Sequence, residues 1–200
     1  MYKKILTDKK CKFWVSLALV LMLMAGLVLP AGNACAVSKA KKKNVLIVYF
    51  SATGTTKSAA QKIKKATGGK LYQIKAANPY TDEDLDYSND GCRANTEQQD
   101  DSTRPEIDGK VKNIKKYDVI FLGYPIWWGK EPMIIRTFLE SYNLDGKKIV
   151  PFCTSGGSGI SGSTSGVKAA AGDADVAKGK DLTGLSSKSV KKWALKVINE

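Results

Sequence analysis

The chain has 200 residues, 43% of them hydrophobic, enough for one packed domain of ordinary size. Lysine and arginine outnumber aspartate and glutamate by 32 to 19, for a formal net charge of +13, and histidine is absent. The lack of histidine excludes imidazole-based nucleophilic triads, and the cysteines and carboxylates show no metal-ligand spacing.

Taken in order, Lys3, Lys4, Lys9, Lys10 and Lys12 precede an apolar run from Phe13 to Pro30, and the small residues Ala31, Gly32, Ala34 and Ala36 follow. This is the layout of a signal peptide over residues 1–36, and Ala34-Cys35-Ala36 places cleavage after Ala36. Two alternatives stand beside it. One is lipidation of Cys35 after cleavage at Ala34, against which Gly32 occupies a position that prefers a leucine-like residue. The other is retention as an anchor, since the run is near the ~18 residues that span a bilayer. Lys9-Lys10 stands where a twin-arginine pair would, so the general secretory route is expected. The destination is then the periplasm, the cell surface or the medium.

Residues 1–36 hold five lysines and one aspartate, so the remainder still carries +9. Its lysines are spread over helix and loop positions without an arginine-aromatic stripe, which reads as a solvated basic surface and gives nucleic acid no support as a partner. Excess positive charge instead fits an acidic protein or an anionic envelope as neighbour. Only Cys92 and Cys153 survive removal of the leader, and their contexts differ too much to assign a disulfide.

A basic linker at 37–43 leads into one domain at 44–200. Val45 to Phe50 is an unbroken apolar run suited to a strand covered on both faces of a parallel sheet. Ser51, Thr53, Thr55 and Thr56 then crowd hydroxyls around Gly54, where a following helix would present unpaired N–H groups: the chemistry of a phosphate site. The Gly-Lys spacing of a Walker loop and the glycines of a dinucleotide fingerprint are both missing. A helix is expected over about Thr55 to Thr67, burying Ala59, Ala60, Ile63 and Ala66 and stopped by Gly68-Gly69. Leu71 to Ala76 alternates like an edge strand.

From Asn78 to Asp108 the texture changes to ten acidic residues, two arginines and no long apolar run, with a helical turn expected near Asp90 to Gln99. An excursion of this length either covers something or is mobile, and its acids either serve a site or fold back onto lysines. Asp118 to Tyr124 is a second buried strand, followed by Pro125-Ile126-Trp127-Trp128-Gly129-Lys130. A helix opens with Pro132 in its first turn and carries Ile135, Phe138, Leu139 and Tyr142 at helical spacing. Lys148 to Cys153 is the next strand, with Pro151 in tension with an interior position. Thr154 to Ser163 is a glycine-rich loop whose backbone can approach a ligand closely. A short helix from about Ser163 to Ala171, a weak strand at Ala174 to Lys178 and a packing helix from Ser187 complete the chain.

Alternating strands and helices put three loops at the carboxyl ends of one parallel sheet: the hydroxyl loop, the double-tryptophan loop and the glycine loop. With Ser51-Ala-Thr-Gly-Thr-Thr, Tyr124-Pro-Ile-Trp-Trp-Gly and Cys153-Thr-Ser-Gly-Gly-Ser-Gly, the chain from Asn44 to Ile198 resembles the flavodoxin-like family, in its short-chain flavodoxin and quinone-reductase-like branches. The resemblance implies an α/β three-layer sandwich, with a five-stranded parallel sheet of order 2-1-3-4-5 and helices on both faces. It also implies FMN at the switch point and electron transfer as the activity.

Under that resemblance Ser51, Thr53, Gly54, Thr55 and Thr56 hold the phosphate. Pro125, Ile126, Trp127, Trp128 and Gly129 form the second loop, with Trp127 or Trp128 over one flavin face and Gly129 beside N5. Thr154, Ser155, Gly156, Gly157, Ser158 and Gly159 offer N–H donors to the pyrimidine edge, and no side chain is given a catalytic role. Two departures from the family pattern are visible: Lys130 stands where an acid is common, and Thr154 to Ser163 contains no aromatic residue. A lysine within about 10 Å of the ring favours its reduced anionic form, and an open face admits a nicotinamide or a quinone. The expected function is an exported FMN-binding electron carrier serving a redox protein or a small acceptor. An FMN-dependent NAD(P)H:quinone-type oxidoreductase and a non-redox flavin-binding protein are the alternatives.

Overall fold

The computed structural model of the protein describes residues 42–200; the leader, the site after Ala36 and residues 37–41 lie outside the described residues. Eight strands and five helices follow in chain order: β1 Val45–Tyr49, α1 Thr55–Thr67, β2 Lys70–Gln73, β3 Lys75–Ala76, α2 Arg93–Gln99, β4 Ile107–Asp108, β5 Val119–Pro125, α3 Met133–Glu140, β6 Lys148–Thr154, α4 Thr164–Ala170, β7 Asp175–Val176, β8 Lys180–Asp181 and α5 Ser187–Asn199. The main sheet is parallel in the order β2-β1-β5-β6-β7, with β8 pairing the far half of β6 beside β7. Counted by position this is the expected 2-1-3-4-5 arrangement, with the fifth position shared by two short strands.

Strand periodicity explains the three layers. Val45, Ile47 and Tyr49 point to one face, where they meet Ala59, Ala60 and Ile63 of α1 and Val190, Ala194 and Val197 of α5. Leu46 and Val48 point to the other, against Ile134, Ile135 and Phe138 of α3 and Val167 of α4. Leu46, Ile47 and Val48 are each 0% exposed, which is why this strand reads as continuously apolar. Each such side chain contributes about 1.5–3 kcal/mol of burial. Trp193, on α5, is only partly buried and meets Phe121 edge-on with centroids 5.5 Å apart.

The boundaries of α1 follow the sequence, and Gly68 ends it with φ +70 and its N–H on Lys64 O at 2.8 Å. Pro132 sits one step earlier than expected, as the extended residue before α3, and the helix stops at Glu140. Tyr142 therefore lies beyond the helix, where its hydroxyl accepts the Val111 N–H at 2.8 Å.

Two segments differ from their sequence reading. The expected strand from Leu71 to Ala76 is broken: β2 pairs with β1, whereas β3 turns away and pairs antiparallel with β4. Ala77 N–H then donates to Glu106 O at 2.9 Å, so the excursion is closed at its neck. Pro151 needs no bulge. Along β6 the carbonyls of Lys147, Ile149 and Cys153 accept from the β7/β8 side, so the nitrogen of Pro151 faces that same side. There the chain passes from β7 to β8, and no residue is in register with Val150 or Pro151. The proline, with no N–H to give, falls in the stretch of that edge where pairing passes from one short strand to the next.

Candidate functional site

Because β1, β5 and β6 run parallel, the loops that leave them open on the same edge of the sheet. They enclose a cleft of about 340 Å³, within the range of small-molecule sites. From the expected residues the first loop contributes Ser51, Thr53, Thr55 and Thr56, the second Pro125, Ile126 and Trp127, and the third Thr154, Ser155 and Gly156. Gly54, Trp128, Gly129, Gly157, Ser158 and Gly159 lie outside this lining. Ala52, Leu85 and Tyr87 line the cleft without having been singled out in the sequence.

In the first loop Ser51 is the organiser. Its Oγ accepts the N–H groups of Gly54 at 3.1 Å and Lys57 at 3.3 Å, wrapping the turn onto the start of α1. Gly54 adopts φ +90, a conformation that glycine takes without penalty. The N–H groups of Thr55 and Thr56 fall in the first helical turn, which has no intrahelical acceptor for them. The hydroxyls of Thr53 and Thr55 lie 3.4 Å apart and exposed beside them. Thr56 turns inward and shares a buried hydrogen bond with the Thr154 hydroxyl at 2.8 Å, tying the first loop to the third. Free N–H groups, hydroxyls and the positive end of a helix together suit a phosphate dianion.

In the second loop Trp127 is a core residue that also reaches the cleft. It is 5% exposed and packs edge-on against Phe50 at 5.5 Å and Tyr80 at 5.0 Å. Its backbone exchanges two 3.0 Å hydrogen bonds with Lys130, leaving Trp128 at φ +44 and Gly129 at φ +81 as the turn between them. Positive φ at a tryptophan is strained and persists only where neighbours hold it. The Gly129 carbonyl abuts Gly162, where a Cβ would lie 2.2 Å from that oxygen.

The excursion braces this loop from beneath. Gln98 of α2 donates its Nε2 to the carbonyls of Trp127 at 2.9 Å and Glu131 at 3.1 Å. Glu131 is 1% exposed and accepts Arg136 Nε at 2.9 Å through Oε1. Arg136 and Lys130 both approach Asp101, at 3.2 and 3.7 Å, so the lysine beside the cleft faces an acid from the excursion. Three acids of the excursion pair with arginines, Asp84 and Glu97 with Arg93 and Asp101 with Arg136. Among the described residues only Asp101 of these acids meets a lysine, and Leu85 and Tyr87 of the segment line the cleft.

The third loop is held by Ser155, whose Oγ accepts the N–H groups of Gly157 at 3.0 Å and Gly159 at 2.9 Å. Its own N–H donates to Thr183 Oγ1 at 2.9 Å, and Thr183 donates to Asp181 at 2.5 Å. Cys92 and Cys153 are both free and buried.

The family model described as Flavodoxin matches residues 44–197. A solved structure from Bacteroides eggerthii DSM 20697, provisionally named a flavoprotein, is 46% identical, with 79% of this chain and 99% of that chain covered and a TM-score of 0.75. A second, provisionally named likewise, from Bacteroides uniformis ATCC 8492, is 40% identical over 76% of this chain and 98% of that one, with a TM-score of 0.73. A flavoprotein in complex with FMN from Lactobacillus acidophilus NCFM is 27% identical over 76% of this chain and 99% of that one, with a TM-score of 0.61. Among curated proteins nothing matches.

Glu131 carries a pH signature. Burial pushes its carboxyl above the usual 4.5, with Arg136 and Lys130 pulling the other way. Its Oε2, like Gln98 Oε1, meets no hydrogen-bond partner among the described residues. The folded state therefore holds this proton more tightly than the unfolded chain does. The associated stability is fully present below the unfolded pKa and lost as pH rises through the folded one. In Glu131→Gln that loss disappears, so the stability gap between variant and parent should move in favour of the variant as pH rises above the usual 4.5, read by urea midpoints. Parallel pH profiles would show that the carboxyl titrates normally.

Proposed function

We infer, from the premise that this chain belongs to the flavodoxin family, that it holds FMN in the cleft and passes electrons through it. The observation that carries the reading is the start of α1, where Ser51 folds the loop so that free N–H groups and the Thr53 and Thr55 hydroxyls face one space. The cleft beside it has the size of a small-molecule site and an aromatic wall at Trp127. The FMN complex of the Lactobacillus relative supports the same ligand.

When bound, FMN supplies one- and two-electron chemistry that no side chain offers. The chain's own part is placement. The first loop would take the phosphate, and Trp127, which lines the cleft, would give the ring an aromatic wall. Gln98 fixes the backbone of the second loop, and Ser155 keeps the glycine loop folded against the cleft. Reconstitution with FMN should give a yellow protein with shifted flavin absorption bands. The double variant Thr53→Ala, Thr55→Ala should weaken FMN binding by at least about tenfold, two hydrogen bonds to a charged group being removed. Normal binding by that variant would overturn the assignment of the phosphate loop.

A second reading, an FMN-dependent NAD(P)H:quinone-type oxidoreductase, draws on the third loop. It carries no aromatic side chain from Thr154 to Ser163, and Gly156, Gly157 and Ser158 are exposed, which leaves room for a hydride donor or a planar acceptor. Rapid bleaching of reconstituted protein by NADH or NADPH under anaerobic conditions is the outcome expected of the reductase. An unchanged spectrum is the outcome expected of a carrier.

Residues 1–36 support export, with the cleft loaded outside the cytoplasm. Protein recovered from the cell envelope or medium should begin at Val37 by mass spectrometry; an intact Met1 in a soluble cytoplasmic fraction would refute this. Lys57, Lys64 and Lys65 of α1 and Lys188, Lys191 and Lys192 of α5 are exposed on adjacent helices. They favour an acidic redox partner or an anionic envelope surface, through attraction that weakens with salt.

A further inference from the structure

The third loop offers no aromatic ring to the cleft, yet a second ring is present. Tyr87 comes from the excursion between β3 and β4, lines the cleft, and at 57% exposure is the most exposed of the large hydrophobic residues described. One face of its ring is stacked on Trp128, with centroids 4.2 Å apart and planes 10° from parallel. Trp128 itself does not line the cleft. The indole thus backs the phenol, and the phenol borders the cavity.

An exposed ring on a long loop would ordinarily be free to swing, but this one is braced on both sides. Before it, Thr81 and Asp84 exchange side-chain to backbone hydrogen bonds at 3.0 and 3.2 Å, setting the short 3₁₀ turn Glu83–Leu85. Arg93 then approaches Asp84 at 3.8 Å and lies 4.1 Å over the ring of Tyr80. After it, Asp86 accepts both the N–H and the hydroxyl of Ser88, at 2.9 and 2.7 Å. From the other side the left-handed backbone of Trp128, locked between the Trp127 and Lys130 hydrogen bonds, sets the indole against Tyr87. Two elements far apart in sequence are arranged so that one aromatic face is held at the mouth of the cleft.

We propose that Tyr87, backed by Trp128, covers the outer face of the flavin ring, the position that the aromatic-free third loop leaves open. The proposal rests on the FMN reading above and adds a residue outside the three loops at the strand ends. Offset stacking of a phenol on a planar ligand adds to what area burial alone gives, and a ring already stacked on its far side loses little freedom when it receives the ligand.

The test titrates FMN and riboflavin into the full mature chain and its variants, reading affinity and the residual fluorescence of the bound flavin. Tyr87→Ala should weaken both flavins by about five- to tenfold and leave the bound flavin brighter, because the stacked quencher is gone. Tyr87→Phe should retain affinity and quenching. Trp128→Ala should shift both in the same direction as Tyr87→Ala but less. The phosphate-loop double variant, by contrast, should weaken FMN and spare riboflavin. If Tyr87→Ala binds and quenches FMN as the parent does, Tyr87 does not cover the ring and the cofactor reading stands. If the parent itself does not bind FMN, both readings fall. A variant with weakened binding but parental quenching would mark Tyr87 as a mere prop for the loop and overturn the proposal.

Discussion

Parallel pairing of β1, β5 and β6, with Val45 opposite Val119 and Val119 opposite Lys148, fixes where the remainder of the site must be. In a parallel ladder every strand ends on the same edge, and each crossover must return over one face or the other. The chain meets that demand with apolar strands buried on both faces, and the reward is that three loops from residues 51, 126 and 155 converge without any contact of their own design. Once they have converged, a buried hydroxyl pair, Thr56 with Thr154, ties the first to the third.

The sheet positions the loops, but the excursion sets the conformation of the middle one. Gln98 reaches from α2 to two carbonyls of the tryptophan turn, and Asp101 meets both Lys130 and Arg136. Removing water from Glu131 is costly, and the Arg136 guanidinium compensates it through the hydrogen bond to Oε1. α4 approaches this ion pair through Gly166, where a Cβ would come within 1.9 Å of the carboxylate. The second loop is therefore held by polar contacts to side chains remote in sequence, which are strong when complete and intolerant of partial loss.

That division explains what could be read from the sequence. The strands and α1 were legible because an apolar run with β-branched residues, a periodic helix face and a glycine stop each carry a local physical signal. The hydroxyl loop was legible because its donors and acceptors are consecutive. Tyr87 was not, since its role depends on the closure of β3 on β4 and on a stack with Trp128, neither of which leaves a local pattern. Its one trace is an aromatic residue placed in a polar, acidic stretch. Glu131 was hidden in the same way, a carboxyl that looks like surface charge until α3 and α4 close over it. Pro151 read as a conflict because the sequence does not reveal that the fifth position of the sheet is filled by two separate pieces.

That split edge has a further consequence. An uncovered, continuous outer strand is a template onto which another chain can add by backbone pairing. Here β7 and β8 offer two residues each, separated by a gap that faces a residue unable to donate, whereas the opposite edge is the four-residue β2. A second chain approaching along β7 and β8 would find no uninterrupted ladder to extend, so the same irregularity that accommodates a proline also blunts that edge.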